Sequence, residues 1–379
     1  RVRGLNGQKT TLTVEANGRI VATQELQLPP SGDIANARIR LQSLDPGTYA
    51  LTVRAKLLTG ETIAENNEYH TVLHVRHGPE RILYLEGEPR PELAFMRRAV
   101  TPDSALQLVA LLRSAEGKFL RLGVKDSLEL LGGFPTTREE LFRYPAIILG
   151  SLEANFFTGD QLRMLSDFVS QRGGGLLALG GRSAFAEGGY SGTAVADVLP
   201  LLFDRAVMDT AGPATEVRVR PTAPGTSHPA LQLGPTDSAS ALRWRTLPPL
   251  TIVNGLGSAR PGATVLLTGR TAASQIDLPI LAFQRYGRGI GAVLGVQDTW
   301  LWQMHADISV EDETHETLWR QMLRWLLEGV PHQVDVTATP SRVGPGEPVT
   351  IRARVADTHY LDVNDAIVKN SARPGIQMR

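Results

Sequence analysis

The stretch Arg172-Gly-Gly-Gly-Leu-Leu-Ala-Leu-Gly-Gly-Arg-Ser-Ala-Phe-Ala-Glu-Gly-Gly-Tyr190 decides how the chain is read. The residues before it, 158–171, carry a helical period, with Leu162, Leu165, Phe168 and Val169 on one face. Thr158 is placed as the N-cap, and Gln161 three residues on closes a capping box. Arg172 and the glycines stop that helix. Leu176-Leu-Ala-Leu179 is an unbroken apolar run, which predicts a strand covered on both faces, and Gly180-Gly181 permits a sharp turn at its carboxyl end. In an open α/β sheet ligands bind at that end, so function is sought there first.

Working outward, the apolar runs at 82–85, 118–122 and 146–149 predict further strands, separated by helices at 91–100 and 138–142. Such alternation predicts right-handed crossovers and a parallel sheet with helices on both faces. Past Pro200 the pattern breaks into an irregular excursion at about 205–262, rich in Pro, Thr and Gly, with a short strand at 216–220. Strands return at 263–268, 279–286 and 290–296, the last two joined by a hairpin turn at Tyr286-Gly-Arg-Gly289. A helix at 313–328, capped by Asp312, buries Leu318, Trp319, Met322, Leu323 and Leu326.

The two ends are β-rich. Residues 1–77 alternate apolar and polar side chains at 10–15, 19–27, 37–41, 47–55 and 69–75, with turns at Asn17-Gly18 and Asp45-Pro46-Gly47. This predicts an immunoglobulin-like β-sandwich, with His77-Gly78-Pro79 as the junction to an α/β domain over 78–332. Residues 333–379, with strands at 334–338 and 349–355 about the Pro345-Gly346 turn, read as the start of a second sandwich, too short to close. The chain opens inside a strand and ends on a polar tail, as expected of a piece of a longer protein.

Composition narrows the chemistry. The 379 residues hold 39 Lys and Arg against 39 Asp and Glu, so net charge favours neither nucleic acid nor an anionic membrane. Cysteine is absent, which removes thiol nucleophiles, disulfides and thiolate metal sites. The eight histidines show no metal-ligand spacing, and neither a metal nor another cofactor is expected. Gly173 to Gly175 lack the Lys and Ser/Thr of a phosphate loop.

A parallel sheet would gather Glu86, Glu88 and Arg90, Ser151 and Glu153, Gly180, Gly181 and Arg182, and Asp298 with Trp300 at its strand ends. These are the expected ligand-binding residues, a polar rim with an aromatic wall. Ser183 is the candidate nucleophile, with His315 or His305 as base and Glu86, Glu88 or Asp298 as the orienting acid. The surrounding sequence is not the Gly-x-Ser-x-Gly elbow, and a serine that caps a turn is the competing reading.

On Ile82-Leu-Tyr-Leu-Glu-Gly-Glu-Pro-Arg90, Gly132-Gly-Phe-Pro135, the 172–190 stretch, and Gln284-Arg-Tyr-Gly-Arg-Gly289 leading to Asp298-Thr-Trp300, residues 81–328 resemble the class I glutamine amidotransferase-like domain of large bacterial membrane-associated proteins. The resemblance implies a flavodoxin-like parallel α/β sheet beside immunoglobulin-like segments. It also implies an extracytoplasmic, periplasmic location in a chain anchored by membrane segments outside this sequence. Active members use a cysteine at the strand-to-helix elbow. Here the elbow reads Gly180-Gly181-Arg182, so glutamine hydrolysis through a thioester has no nucleophile.

The expected function is therefore a non-catalytic binding or scaffold region that meets another envelope protein or an unidentified ligand. The alternatives are a serine hydrolase built on Ser183 and a carbohydrate-binding or carbohydrate-processing module.

Overall fold

In the computed structural model, the run at 176–179 lies inside β9 (Gly175–Leu179), every residue of which is buried. The described residues are all but 1–6, 29–36, 38, 40, 43, 59–60, 62–66, 76–77, 116, 204–213, 272–275, 340–349 and 368–379. The expected Pro345-Gly346 turn lies outside them, and the expected strand at 37–41 lies partly outside. The chain divides into two compact units, Arg1–Pro79 and Glu80–Arg379.

The first unit holds β1 (Lys9–Ala16), β2 (Arg19–Gln27), β3 (Gly47–Ala55) and β4 (Glu68–Val75) in one antiparallel sheet of order β2-β1-β3-β4. At its first turn Asn17 and Gly18 both take positive φ, 49° and 81°, as a two-residue hairpin requires. The Asn17 side chain accepts from the Ala50 N–H at 2.9 Å and so ties the turn to β3. The expected two-sheet sandwich is not found: the described strands make a single sheet over Val14, Ala16, Val21 and Leu51.

In the second unit ten strands form one sheet: β5 (Glu80–Glu86), β6 (Leu106–Ala115), β7 (Lys118–Leu122), β8 (Ala146–Leu149), β9, β10 (Thr215–Pro221), β11 (Leu250–Ile252), β12 (Thr264–Thr271), β13 (Leu278–Tyr286) and β14 (Gly289–Leu294). Their order is β11-β10-β12-β13-β14-β9-β8-β5-β6-β7. Four pairings are parallel, β14 with β9, β9 with β8, β8 with β5, and β5 with β6. The other five are antiparallel.

This overturns the expected flavodoxin-like parallel sheet: the sheet is mixed, and its antiparallel pairings outnumber the parallel ones. The physical reason is that an apolar strand reads the same in either direction, while connection length sets its partner's direction. The short Gly287-Arg288 link can only reverse the chain, and the 205–262 excursion supplies β10 and β11, which extend the sheet antiparallel. The expected strand at 118–122 is the edge strand β7. The strand beside β5 is β6, which sequence reading passed over.

Helices cover both faces of the parallel half. A side chain at Gly174 would collide with Phe168 of the helix Gly159–Ser170. One at Gly175 would meet Leu326 of the helix Thr314–Leu326 at 2.5 Å. Because neighbouring strand residues face opposite ways, these two helices lie on opposite sides. The helix Glu92–Val100 packs against Thr314–Leu326, and Gly159–Ser170 packs against Ala194–Val198. The capping box of Thr158 and Gln161 is present.

The last described strands, β15 (Val334–Thr339) and β16 (Thr350–Val355), form a hairpin that belongs to this unit. Buried Arg172 connects it to the body. Its guanidinium donates to the carbonyls of Phe142 (3.2 Å) and Pro331 (2.9 Å) and to the Tyr360 hydroxyl (3.0 Å), with Cζ 4.2 Å from the Tyr360 ring centre. Replacing the guanidinium leaves two carbonyls short of a charged donor, so Arg172→Met should cost about 2–4 kcal/mol in urea unfolding. It should also open the region after Pro331 to limited proteolysis. Unchanged stability and an unchanged digestion pattern would mean that Arg172 does not hold this hairpin.

Candidate functional site

The carboxyl ends of β5, β8 and β9 meet where β5 has β6 on one side and β8 on the other, the crevice position in sheets of this kind. Glu86 closes β5 there, 2% exposed. Its Oε1 accepts from the backbone N–H groups of Gly87 (3.2 Å), Glu88 (3.3 Å) and Ser151 (2.8 Å). Its Oε2 accepts from the Tyr84 hydroxyl (2.6 Å) and from Nε and Nη2 of Arg90 (3.1 and 2.8 Å). Six donors thus saturate the carboxylate. Burial, then the Glu86 charge, pushes the Tyr84 phenol well above its ordinary value, so it remains a donor.

Arg90 spans the crevice, its Nη1 donating to the Gly180 carbonyl of β9's turn at 2.6 Å. The turn is fixed from its other side by buried Asn254, which exchanges two 2.9 Å hydrogen bonds with the Gly181 backbone and donates to Glu187 at 3.0 Å. The tight packing explains the glycines. A Cβ at Gly150 would lie 2.5 Å from Glu86 Oε2, and one at Gly181 would lie 2.5 Å from Ser151 Cβ and 3.1 Å from Arg90 Nη1. The cavity against these strand ends, lined by Leu149, Gly150 and Phe185 among others, measures about 10 Å³, room for one water at most.

Of the expected residues, Glu86, Glu88, Arg90, Ser151, Gly180, Gly181 and Ser183 therefore converge. The Ser183 N–H donates to Ser151 Oγ (2.9 Å), and the Ser183 hydroxyl donates to Glu88 Oε1 (3.2 Å). Arg182 is exposed and has no hydrogen bond or ion pair among the described residues. Glu153 pairs with Arg113. Asp298 turns away, accepting from the Thr251 N–H of β11 at 2.8 Å, and burial raises its carboxyl above the ordinary range. Trp300 stacks on Phe95, ring centres 6.1 Å apart. His305 pairs with Asp307.

His315 is fully buried and belongs to a second polar cluster. Its Nε2 lies 3.0 Å from Trp319 Nε1 and 3.1 Å from Thr299 Oγ1, and Thr299 is hydrogen-bonded to Glu92, itself 2% exposed. The indole only donates, and its N–H lies 3.0 Å from both His315 Nε2 and Thr299 Oγ1; His315 Nδ1 has no partner among the described residues. The Thr299 hydroxyl donates to Glu92 Oε1. Burial raises Glu92 to about 7, against the lowering effect of that hydrogen bond, and lowers His315 to about 4.

Sequence reading missed Glu92, Asn254, Thr299 and Glu187. Asn254 had one signal, a polar side chain just after the short apolar run at 250–253 and before Gly255.

The two shifted groups oppose each other. Glu92, raised from 4.5 to about 7, contributes stability that is full below pH 4.5 and lost as pH rises through 7. His315, lowered from 6.5 to about 4, contributes stability that is full above pH 6.5 and lost as pH falls through 4. Their slopes cancel between pH 4.5 and 6.5. Relative to the parent, Glu92→Gln should gain stability with rising pH there, by about 1.4 kcal/mol per unit, and His315→Gln should lose it at a similar rate. Urea unfolding at three pH values checks this; variant curves that run parallel to the parent's would refute the assignment.

No family model and no curated protein matches the chain. Among solved structures it is similar to two Salmonella typhimurium proteins, STM3548 and STM1381, both described as cytoplasmic. They are 17% and 18% identical, cover 64% and 65% of this chain and 98% and 99% of their own, and each has a TM-score of 0.45. A β-galactosidase from Rahnella sp. R3 is 13% identical over 74% of this chain and 36% of its own, with a TM-score of 0.35. Likeness at this level carries no activity to the chain. The expected periplasmic, membrane-anchored location is withdrawn in view of the description of both Salmonella proteins as cytoplasmic. Among the described residues no helix is long and apolar enough to cross a membrane.

Proposed function

We propose that the unit from Glu80 onward is a non-catalytic binding module. One observation carries the reading: the crevice at the strand ends is filled by a saturated Glu86–Arg90 pair where a reacting group would need room. The turn after β9 offers glycine at 180 and 181. Of the crevice hydroxyls, that of Ser183 donates to a carboxylate and that of Ser151 accepts from the Ser183 N–H, and the imidazole of His315 is committed to Thr299 and Trp319. A triad of the serine-histidine kind needs an oriented imidazole on the hydroxyl, and among the described residues that contact is not made.

The module would meet another protein or a ligand through the exposed groups at the crevice mouth, of which Arg182 is the cation left open for an anionic partner group.

Treatment of the purified chain with a fluorophosphonate, read by intact mass beside Ser183→Ala, should give no adduct, and glutamine should not be hydrolysed. A stoichiometric adduct that disappears in the variant would replace this reading with a serine hydrolase.

A further inference from the structure

A second concave site lies about 690 Å³ in volume between β10, the helix Ala223–Ser227 and the helix Asp237–Thr246. That size falls within the range of small-molecule pockets, roughly 300–1,000 Å³. Its walls are built from two chemistries. Val219, Leu231, Trp244 and Leu247, all buried, make an apolar floor. Trp244 is held in place by its indole N–H donating to the Leu231 carbonyl at 2.9 Å, and by an edge contact with Trp302.

The rim is cationic, with Arg218, Arg220, Arg245 and Arg270 against one lining acid, Asp237. Asp277, outside the pocket, pairs with both Arg220 (2.8 Å) and Arg270 (2.6 Å). Arg218 and Arg245 have no hydrogen bond or ion pair among the described residues. Arg218 also stands directly opposite Arg270 in the β10–β12 register. Asp277 already offsets Arg270 in that pair, so the charge left without a counter-ion among the described residues is Arg218's, and a bound anion would supply one.

We propose that this pocket binds a small amphipathic monocarboxylate, its chain or ring on the Trp244 floor and its carboxylate on Arg218 and Arg245. Apolar floor and uncompensated cationic rim together match one apolar body with one anionic head. Arginine's planar donor pair suits a carboxylate, and Trp244 provides the rigid surface for the body.

Decanoate is the probe, titrated against the whole chain by calorimetry. It should bind saturably with a Kd on the order of 100 µM. Decanol, which keeps the body and lacks the charge, should bind at least about tenfold more weakly, and the Arg218→Ala/Arg245→Ala double variant should lose decanoate affinity by about the same factor. Ala241→Trp, which adds bulk at the pocket wall on an exposed helical position, should abolish binding while the far-UV spectrum and melting temperature stay at parental values. Equal binding of decanol and decanoate, or equal binding by parent and double variant, would overturn the proposal. So would the lack of saturable binding to the parent.

Discussion

A carboxylate taken out of water has to be given back every hydrogen bond it loses, and that demand, set at Glu86, shapes the whole crevice around it. Its partners come from three pieces of chain: its own strand through Tyr84, the turn after it through Gly87, Glu88 and Arg90, and the backbone beyond β8 through Ser151. Removing any one would leave a buried acceptor short of a donor, at about 1–3 kcal/mol for an ordinary hydrogen bond and more for a charged one. The glycines at 150 and 181 follow from the same demand, since the backbone must come close enough to serve the carboxylate and its arginine. The strand ends are thus locked to one another by polar contacts at the place where the sheet has no further backbone pairing to offer.

This also explains why polarity at a strand end is a poor guide to ligand binding. Glu86 and Arg90 have the composition of a recognition site, yet each spends its hydrogen bonds on the protein. In the pocket beside β10 the order is reversed. There the arginines exceed the acids that could neutralise them, and the apolar surface beneath is left uncovered. What distinguishes a ligand site from a structural one is unspent bonding capacity, and side-chain type alone does not report it.

Much of the local structure was legible. The Thr158 and Gln161 capping box, the buried runs of β5, β8 and β9, and the helix Thr314–Leu326 follow from short-range patterns with one physical solution each. The gathering of Glu86, Arg90, Ser151 and Gly181 was legible too, because residues just past adjacent parallel strands must be neighbours. Sheet composition was not. The apolar run inside β6 has no period that separates strand from helix, and nothing in β10 or β12 states the direction of its partner. Asp298 and His315 bond elsewhere than at the Glu86 crevice for a related reason: position along the chain places the Cα, while packing decides where the side chain turns. Glu92 and Thr299 were missed because each gains its character only from burial beside the other.

Gly181 bears on the history open to this crevice. Any side chain there, nucleophile or not, would overlap Ser151 and press on Arg90. Cysteine or serine at 181 would therefore need Ser151 trimmed and the Arg90 guanidinium, held between Glu86 and the Gly180 carbonyl, to give way by a few tenths of an ångström. Each single step along that route is disfavoured before any catalytic benefit could arise. The packing acts as a ratchet: it holds the crevice in its saturated form against the substitutions that would install a nucleophile at 181.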